Sequence, residues 1–332
     1  MLREYALTPQ VFSSRAFENT EVRRLALRQL EPELVRGAGV VRNLANGAWE
    51  AATRAEVLPN DILGGKLLKA LLERGTVKGF ALSPGPFSAE AQWIELAEAE
   101  NAARPLRGVI CSPAAPVTDS RLITDVGKLD QCDWWKDHEN RTNWPLKRSF
   151  DDYRRFFEPL FRYSREVMFV DQYLDPSEPN YADFHRLLRF LHHINQVCRV
   201  SIHRSASANR RERGARPEKL SQDEWKARFQ PLADLSGHSF ALVLRKQPDA
   251  YQSTEIDPHE RFIISNLVLL STTNGFDTGR GMMTVTLLAR GSEQDLVHRR
   301  FFERTYGVGV QTMNFVPTTS EGGSESLMSR AV

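Results

Sequence analysis

A group of polar residues late in the chain has the types and spacing suited to phosphate chemistry. One residue separates His259 from Arg261, and Asn266 follows five residues later. Asn274 and Asp277 belong to a second short run. An arginine guanidinium can bind a phosphate through two parallel hydrogen bonds. We therefore take His259, Arg261, Asn266 and Asp277 as candidate catalytic residues and Asn274 as a candidate phosphate ligand. The competing interpretation is that His259 and Arg261 only flank the start of a strand.

A second feature is the arginine-rich segment, residues 203–219, which holds six basic and two acidic side chains. It follows a strand expected to end at Ile202, and ligands of open α/β sheets bind where the strands end. The segment is expected to contact a phosphodiester backbone through Arg204, Arg210, Arg211, Arg213 and Arg216. The alternative is a solvated insertion, which is the common role of such charge runs.

The region around His259 resembles the signature of the phospholipase D superfamily. That signature places His, Lys, Asp, Gly-Ser and Asn at fixed spacings. The corresponding residues here are His259, Arg261, Asn266, Thr273-Asn274 and Asp277, so only the histidine is identical. The resemblance therefore depends also on the order of the surrounding helices and strands.

A closer resemblance is to the divergent phospholipase D-like domain at the C-terminus of some MIT-domain proteins and of bacterial relatives. It rests on Asp171-Gln172-Tyr173, His259-Glu260-Arg261 and Gly275-Phe276-Asp277, and it covers about residues 150–305. The resemblance implies a half-domain with a mostly parallel mixed sheet flanked by helices. It also implies chemistry that uses a histidine nucleophile and needs neither a metal nor another cofactor.

The resemblance implies two histidine segments in an active enzyme, whereas this chain offers one. Activity would need a homodimer that brings two copies of His259 together. Asn266 and Arg261 depart from the signature, and these departures favour a degenerate site that binds phosphodiesters, most simply nucleic acid. Two alternatives remain: a metal-independent homodimeric nuclease or phosphodiesterase, and a scaffold for phospholipid headgroups or proteins. The bacterial relatives suggest partner proteins in an anti-phage defence or DNA-processing complex.

The second half of the chain predicts strands that alternate with helices. Apolar spacing and caps place helices at 150–165, 184–196, 222–235 and 293–304, and strands at 167–174, 198–202, 240–245, 261–271 (a pair) and 283–288. This alternation predicts a phospholipase D-like domain at 150–310. The other predicted parts are an α/β domain of unknown role at 1–112, an irregular linker or lobe at 113–149 and a disordered tail at 311–332. The fold class is therefore α/β.

The first half predicts helices at 20–55, broken near residues 37–39, and at 62–72 and 89–103. Strands are expected at 77–82 and 106–112. No motif in this half indicates an activity.

Composition excludes several classes of protein. The net charge is +2 and 41% of the 332 residues are hydrophobic, which excludes a global polycation and a largely disordered chain. Three widely spaced cysteines predict free thiols, and no phosphate loop or dinucleotide motif is present. The adjacent His192 and His193 cannot share a metal ion. No apolar run is long enough to cross a membrane, so a cytoplasmic protein is expected.

Overall fold

The fold is known from a computed structural model, which describes residues 2–74, 77–78, 87, 89–116, 120–136, 142–206, 220–245, 261–288 and 310–318. These residues form two β-sheets with helices packed against them, which confirms the α/β class. No helix in these ranges is both long and apolar enough to cross a bilayer.

The first sheet is parallel throughout and has the order β3-β2-β1-β4-β5. Its strands are β1 Arg3–Leu7, β2 Gly39–Asn43, β3 Val77–Lys78, β4 Gly108–Cys111 and β5 Ile123–Asp125. Tyr5 pairs with Val41 on one side and Gly108 on the other, so β1 is central. The strand order reverses between β1 and β4, where open α/β sheets bind ligands.

Four longer helices accompany the described part of this sheet: α1 Thr20–Leu30, α2 Ala48–Glu56, α3 Ile62–Arg74 and α4 Glu90–Ala103. The side chain of Asn19 caps α1 by accepting hydrogen bonds from two backbone amides. Leu27, Trp49 and Trp93 are almost fully buried in one core with Tyr5. The predicted break at residues 37–39 leads into β2. The second helix, predicted to follow the break directly, begins only at Ala48, so this part of the prediction was wrong.

The second sheet is mixed, with the order β13-β9-β8-β7-β10-β11-β12-β6. Its strands are β6 Asn143–Lys147, β7 Glu166–Val170, β8 Arg199–Ser205, β9 Phe240–Arg245, β10 Arg261–Ser265, β11 Leu269–Thr272, β12 Met282–Leu287 and β13 Val310–Phe315. Among the described strands of this sheet, only β7, β8 and β9 pair in parallel. The tight turn after Ser265 forces β10 and β11 to be antiparallel, so parallel pairing is less extensive than predicted.

Three amphipathic helices pack on one face of the second sheet: α6 Phe150–Tyr163, α7 Phe184–Ile194 and α8 Gln222–Ser236. Their buried side chains include Phe157, Leu188 and Phe229. Ser221 forms a capping box with Glu224 at the start of α8. All three helices match the sequence prediction closely, because each carries an apolar stripe and because Ser149 and Ser221 cap α6 and α8.

The segment predicted to be an irregular lobe contains regular structure. Short helix α5 Asp133–Lys136 follows β5, and Trp135 packs edge-on against Tyr5 with ring centroids 5.4 Å apart. Residues 123–136 thus complete the first domain, whereas β6 closes one edge of the second sheet. The predicted helix at 293–304 lies outside the described residues, as does most of the predicted disordered tail. Residues 311–315, predicted to be part of that tail, belong instead to strand β13 and pair with β9.

Glu4 forms hydrogen bonds with residues of both domains. Its Oε1 accepts hydrogen bonds from Arg42 Nε at 2.6 Å and Arg104 Nη2 at 2.7 Å, and its Oε2 accepts one from the Tyr163 hydroxyl at 3.0 Å. Tyr163 ends α6, so a carboxylate of the first sheet is bonded to a helix of the second domain. Burial, reinforced by the Glu4 charge, raises the pKa of Tyr163.

Candidate functional site

The candidate site lies at the carboxyl edge of the second sheet, where the parallel strands β7, β8 and β9 end. Phe262 pairs with Val170, so β10 begins at the edge where β7 ends. Arg261 and Arg245 therefore come to the same edge from opposite strand directions.

Asp171, directly after β7, is a fully buried carboxylate of the edge. Its Oδ2 accepts hydrogen bonds from the Tyr181 hydroxyl at 2.8 Å and the Phe276 amide at 3.3 Å. Its Oδ1 accepts from the Tyr173 amide at 3.0 Å and lies 3.5 Å from Nε of Arg261. Such a complete set of partners compensates the burial of a charged group.

Arg261 connects this buried carboxylate to the surface. Its guanidinium carbon lies 5.4 Å from the centre of the Tyr173 ring, and 14% of its side chain is exposed. A planar cation held between a carboxylate and an aromatic face has a fixed orientation. Arg261 is thus placed where a phosphate oxygen could reach it from solvent.

The turn containing Gly275 and Asp277 packs against Asp171. A methyl group on Gly275 would overlap the Asp171 carboxylate and lie 2.7 Å from the Tyr181 hydroxyl, so glycine is needed for this close approach. Asp277 is buried, and its carboxylate binds Arg148 and, at 3.1 Å, Asn180 Nδ2. Asp277 thus anchors the turn to Arg148, just before α6, and to Asn180, shortly before α7.

Asp175 holds two further arginines at the edge. Its Oδ2 lies 2.8 Å from Nη1 of Arg228 and 3.4 Å from Nη1 of Arg204. Burial acts to raise the pKa of Asp175, but hydrogen bonds from Ser177 and the two arginines outweigh it and leave the pKa below its ordinary value. The carboxylate therefore stays charged at neutral pH.

Arg204, predicted to contact phosphate, is 4% exposed. Its guanidinium donates to the Leu174 carbonyl at 2.9 Å and lies 4.2 Å from the centre of the Trp225 ring. This arginine stabilises the edge from inside, because its charge is directed into the protein. The expectation that its side chain faces a ligand was wrong.

His203, on β8, is buried beside Arg245. Its Nδ1 lies 2.9 Å from Nη2 of Arg245, and its Nε2 lies 3.2 Å from the Ser201 hydroxyl. Burial, with the positive charge of Arg245, lowers the pKa of His203 well below its ordinary value. A neutral imidazole therefore accepts a hydrogen bond from Arg245 through Nδ1.

The remaining predicted residues divide into three groups. Asn266 lies at the far end of β10, about 16 Å along the strand from Arg261, where its Oδ1 accepts the Arg165 amide at 2.8 Å. Because one strand separates them, Asn266 does not join the site. Asn274 stays near the edge, where its Nδ2 donates to the Met282 carbonyl at 3.3 Å. Outside the described residues lie His259, Arg210, Arg211, Arg213 and Arg216.

Sequence reasoning missed several residues that build the edge: Arg148, Asp175, His203, Arg228 and Arg245. Arg245 could have been found, because it is the last residue of a correctly predicted strand and so belongs at the carboxyl edge. The positions of Arg148 and Arg228 at the edge could not be predicted from the local sequence, because their aspartate partners are 129 and 53 residues away.

The carboxyl edge of the first sheet has a different chemistry. Glu90, at the start of α4, accepts hydrogen bonds from the Ser112 amide at 2.7 Å, the Ser112 hydroxyl at 2.6 Å and the Thr8 hydroxyl. Thr8 and Ser112 follow β1 and β4, the pair between which the strand order reverses. A side chain of the protein thus binds the polar groups at the usual ligand position.

The described residues contain no group of three or more His, Cys, Asp or Glu side chains that could hold a metal ion. Cys111 and Cys198 are buried thiols and Cys132 is partly buried; all three are free. No protein-family model matches the sequence, and the comparison with curated proteins gave no match.

Proposed function

We propose that the carboxyl edge of the second sheet binds the phosphodiester backbone of nucleic acid. The observation that carries the proposal is the convergence of arginines from distant parts of the sequence at this one edge. Among the described residues they are Arg148, Arg228, Arg245 and Arg261, with the inward-directed Arg204, and they are opposed by Asp171, Asp175 and Asp277. Positive side chains thus exceed carboxylates in the described set.

The arginine-rich segment supports the same conclusion. Residues 207–219 of this segment follow Ala206, whose amide donates to the Arg245 carbonyl at 2.8 Å, and the segment ends shortly before α8. The first turns of α8 lie at the edge, because Trp225 and Arg228 contact Arg204 and Asp175. Both attachments of the segment therefore belong to the edge that carries Arg245 and Arg261. Neutralised phosphates and released counterions would supply the binding free energy.

Fluorescence anisotropy with labelled single-stranded and duplex DNA and RNA tests the proposal. The double variant Arg210→Ala/Arg211→Ala is expected to weaken binding for every sequence and to reduce the slope of log K against log salt by about two, one for each lost phosphate contact. The matched control is Arg24→Ala/Arg54→Ala, which removes two exposed arginines of the first domain with the same change in charge. Equal effects of the two double variants would contradict the proposal.

The same preparations distinguish the phosphodiesterase and scaffold alternatives. Cleavage of DNA or RNA in EDTA that His259→Ala abolishes would show a catalyst, and its oligomeric state would then be expected to be dimeric. Flotation only with vesicles that contain phosphoinositides, without nucleic-acid binding, would replace our proposal by a headgroup-binding role. Binding without cleavage is the result we expect.

A further inference from the structure

A cavity of about 700 Å³ lies between the two domains, away from the edge described above. One wall is the amino edge of the first sheet, from Arg3 and Glu4 at the start of β1 to Arg107 just before β4. The other wall is α6 with Trp144 of β6. This volume lies within the range of small-molecule sites, which often lie between domains.

The charges of this interdomain cavity favour an anion. Five arginines and two glutamates line it: Arg3, Arg104, Arg107, Arg155 and Arg162, with Glu4 and Glu158. The two glutamates bind Arg104 and Arg162 of the cavity, and Arg3 is paired with the buried Glu33, which is not part of the lining. Within the part of the chain that the structure describes, Arg155 has no carboxylate partner. A phosphate group would satisfy its fork of donors.

The remaining lining is aromatic and aliphatic. Trp144 is partly exposed and is held edge-on by Phe156, with ring centroids 5.7 Å apart. Both Trp144 and Arg155 line the α6 side of the cavity, while Leu2 and Leu106 line the opposite side. The flat base of a nucleotide could stack on a tryptophan held in this way, and the phosphates of the nucleotide could reach the arginines. The combination matches a nucleotide better than a bare anion.

We propose that the interdomain cavity binds a free nucleoside phosphate. This site is separate from the nucleic-acid edge, because its lining residues and those of the edge are different. Its ligand contacts both domains, so occupancy is expected to raise the melting temperature of the protein.

Isothermal titration of the full chain with ADP, with inorganic pyrophosphate and adenosine as partial ligands, tests this site. We expect one ADP per chain, and binding at least about tenfold weaker for either partial ligand, since a charged hydrogen bond or a stacked base each contributes about that factor. Arg155→Ala and Trp144→Leu should each weaken ADP binding about tenfold while the circular dichroism spectrum is unchanged.

The matched control is Arg154→Ala. Arg154 is the neighbour of Arg155 on α6, but its guanidinium lies over the Phe190 ring and it does not line the cavity. ADP binding should survive both this change and Arg210→Ala/Arg211→Ala. The proposal fails if ADP gives no saturable binding, if pyrophosphate binds as tightly as ADP, or if Arg154→Ala and Arg155→Ala have equal effects.

Discussion

Glu90 at the carboxyl edge of the first sheet receives hydrogen bonds from uncharged groups, whereas the aspartates at the same edge of the second sheet are paired with arginines. In the first sheet the carboxylate occupies the position where such folds usually bind a ligand. In the second sheet the carboxylates pair with arginines, of which Arg148, Arg228 and Arg261 stay partly exposed. The same architectural position is thus occupied by hydrogen bonds among uncharged groups and one carboxylate in the first domain, and by arginine–aspartate pairs in the second.

The largest expected difference between the two edges comes from neutralising one carboxylate in each. Asp175→Asn leaves the buried Arg204 without its counter-charge and should lower the free energy of unfolding by about 3 kcal/mol. Glu90→Gln keeps an acceptor for the Ser112 amide, and the hydroxyls can reorient, so it should cost less than about 1 kcal/mol. Urea denaturation of both variants measures this difference, and equal costs would show that the edges do not differ in this way.

A methyl group at Gly275 probes the packing of the turn against Asp171. Gly275→Ala should cost about 1–3 kcal/mol by overpacking and should also weaken nucleic-acid binding, because Asp171 and Arg261 would be displaced. Gly47 of the first domain has a φ of 108° and no atom near an added methyl, so Gly47→Ala should cost about 1–2 kcal/mol through the backbone alone. Melting and anisotropy on both variants check this, and an unchanged affinity for Gly275→Ala would refute the link.

Mild acid is expected to weaken the second domain selectively. Burial lowers the pKa values of His203 and His238, whereas residues 1–137 contain no histidine. The unfolded state takes up protons on these side chains below about pH 6.5 while the folded state does not. Stability should therefore fall as the pH decreases through that value, by up to about 1.4 kcal/mol per pH unit for each histidine.

Hydrogen exchange, corrected for intrinsic rates, can follow each domain between pH 7.5 and 5.5. Protection of β8 and β9 should decrease while that of β1 and β4 remains nearly constant. His203→Gln should reduce the pH dependence, since glutamine can still accept from Arg245. Equal loss of protection in both domains would exclude this explanation.

The smallest expected effect concerns Asn266. Its Oδ1 accepts one exposed amide, so Asn266→Ala should cost about 0.5–1 kcal/mol and leave the affinity for nucleic acid unchanged. Denaturation and anisotropy of this variant compare directly with Gly275→Ala. A large loss of affinity for nucleic acid would show that Asn266 belongs to the binding site, and it would contradict the placement of this residue at the opposite end of β10.

Much of the second domain could be predicted because each of its long helices has an apolar stripe and some have a cap, as Phe229 and Ser221 illustrate in α8. Strands β1 and β2 were missed because charged residues interrupt them. Glu4 and Arg42 look like surface residues in the sequence, yet each is largely buried because the two side chains pair with each other. Local patterns contain no information about such pairing.

The site was predictable only in part for the same reason. The position of Arg261 at a strand start and of Gly275-Asp277 at a turn followed from the sequence, because apolar strands flank them. The contacts of Arg148 with Asp277 and of Arg228 with Asp175 depend on how distant segments pack, and Arg204 was misjudged because nothing local reveals the Trp225 ring beneath it.

Strand β6 has a consequence for the behaviour of the protein at high concentration. It is the terminal strand of the eight described in the second sheet, and Pro145, with no amide hydrogen, stands at its centre opposite Thr284. Lys147 adds an exposed positive charge at its end. A proline and a lysine on an outer strand oppose the addition of a further strand from another molecule. The strand therefore protects the sheet against edge-to-edge aggregation.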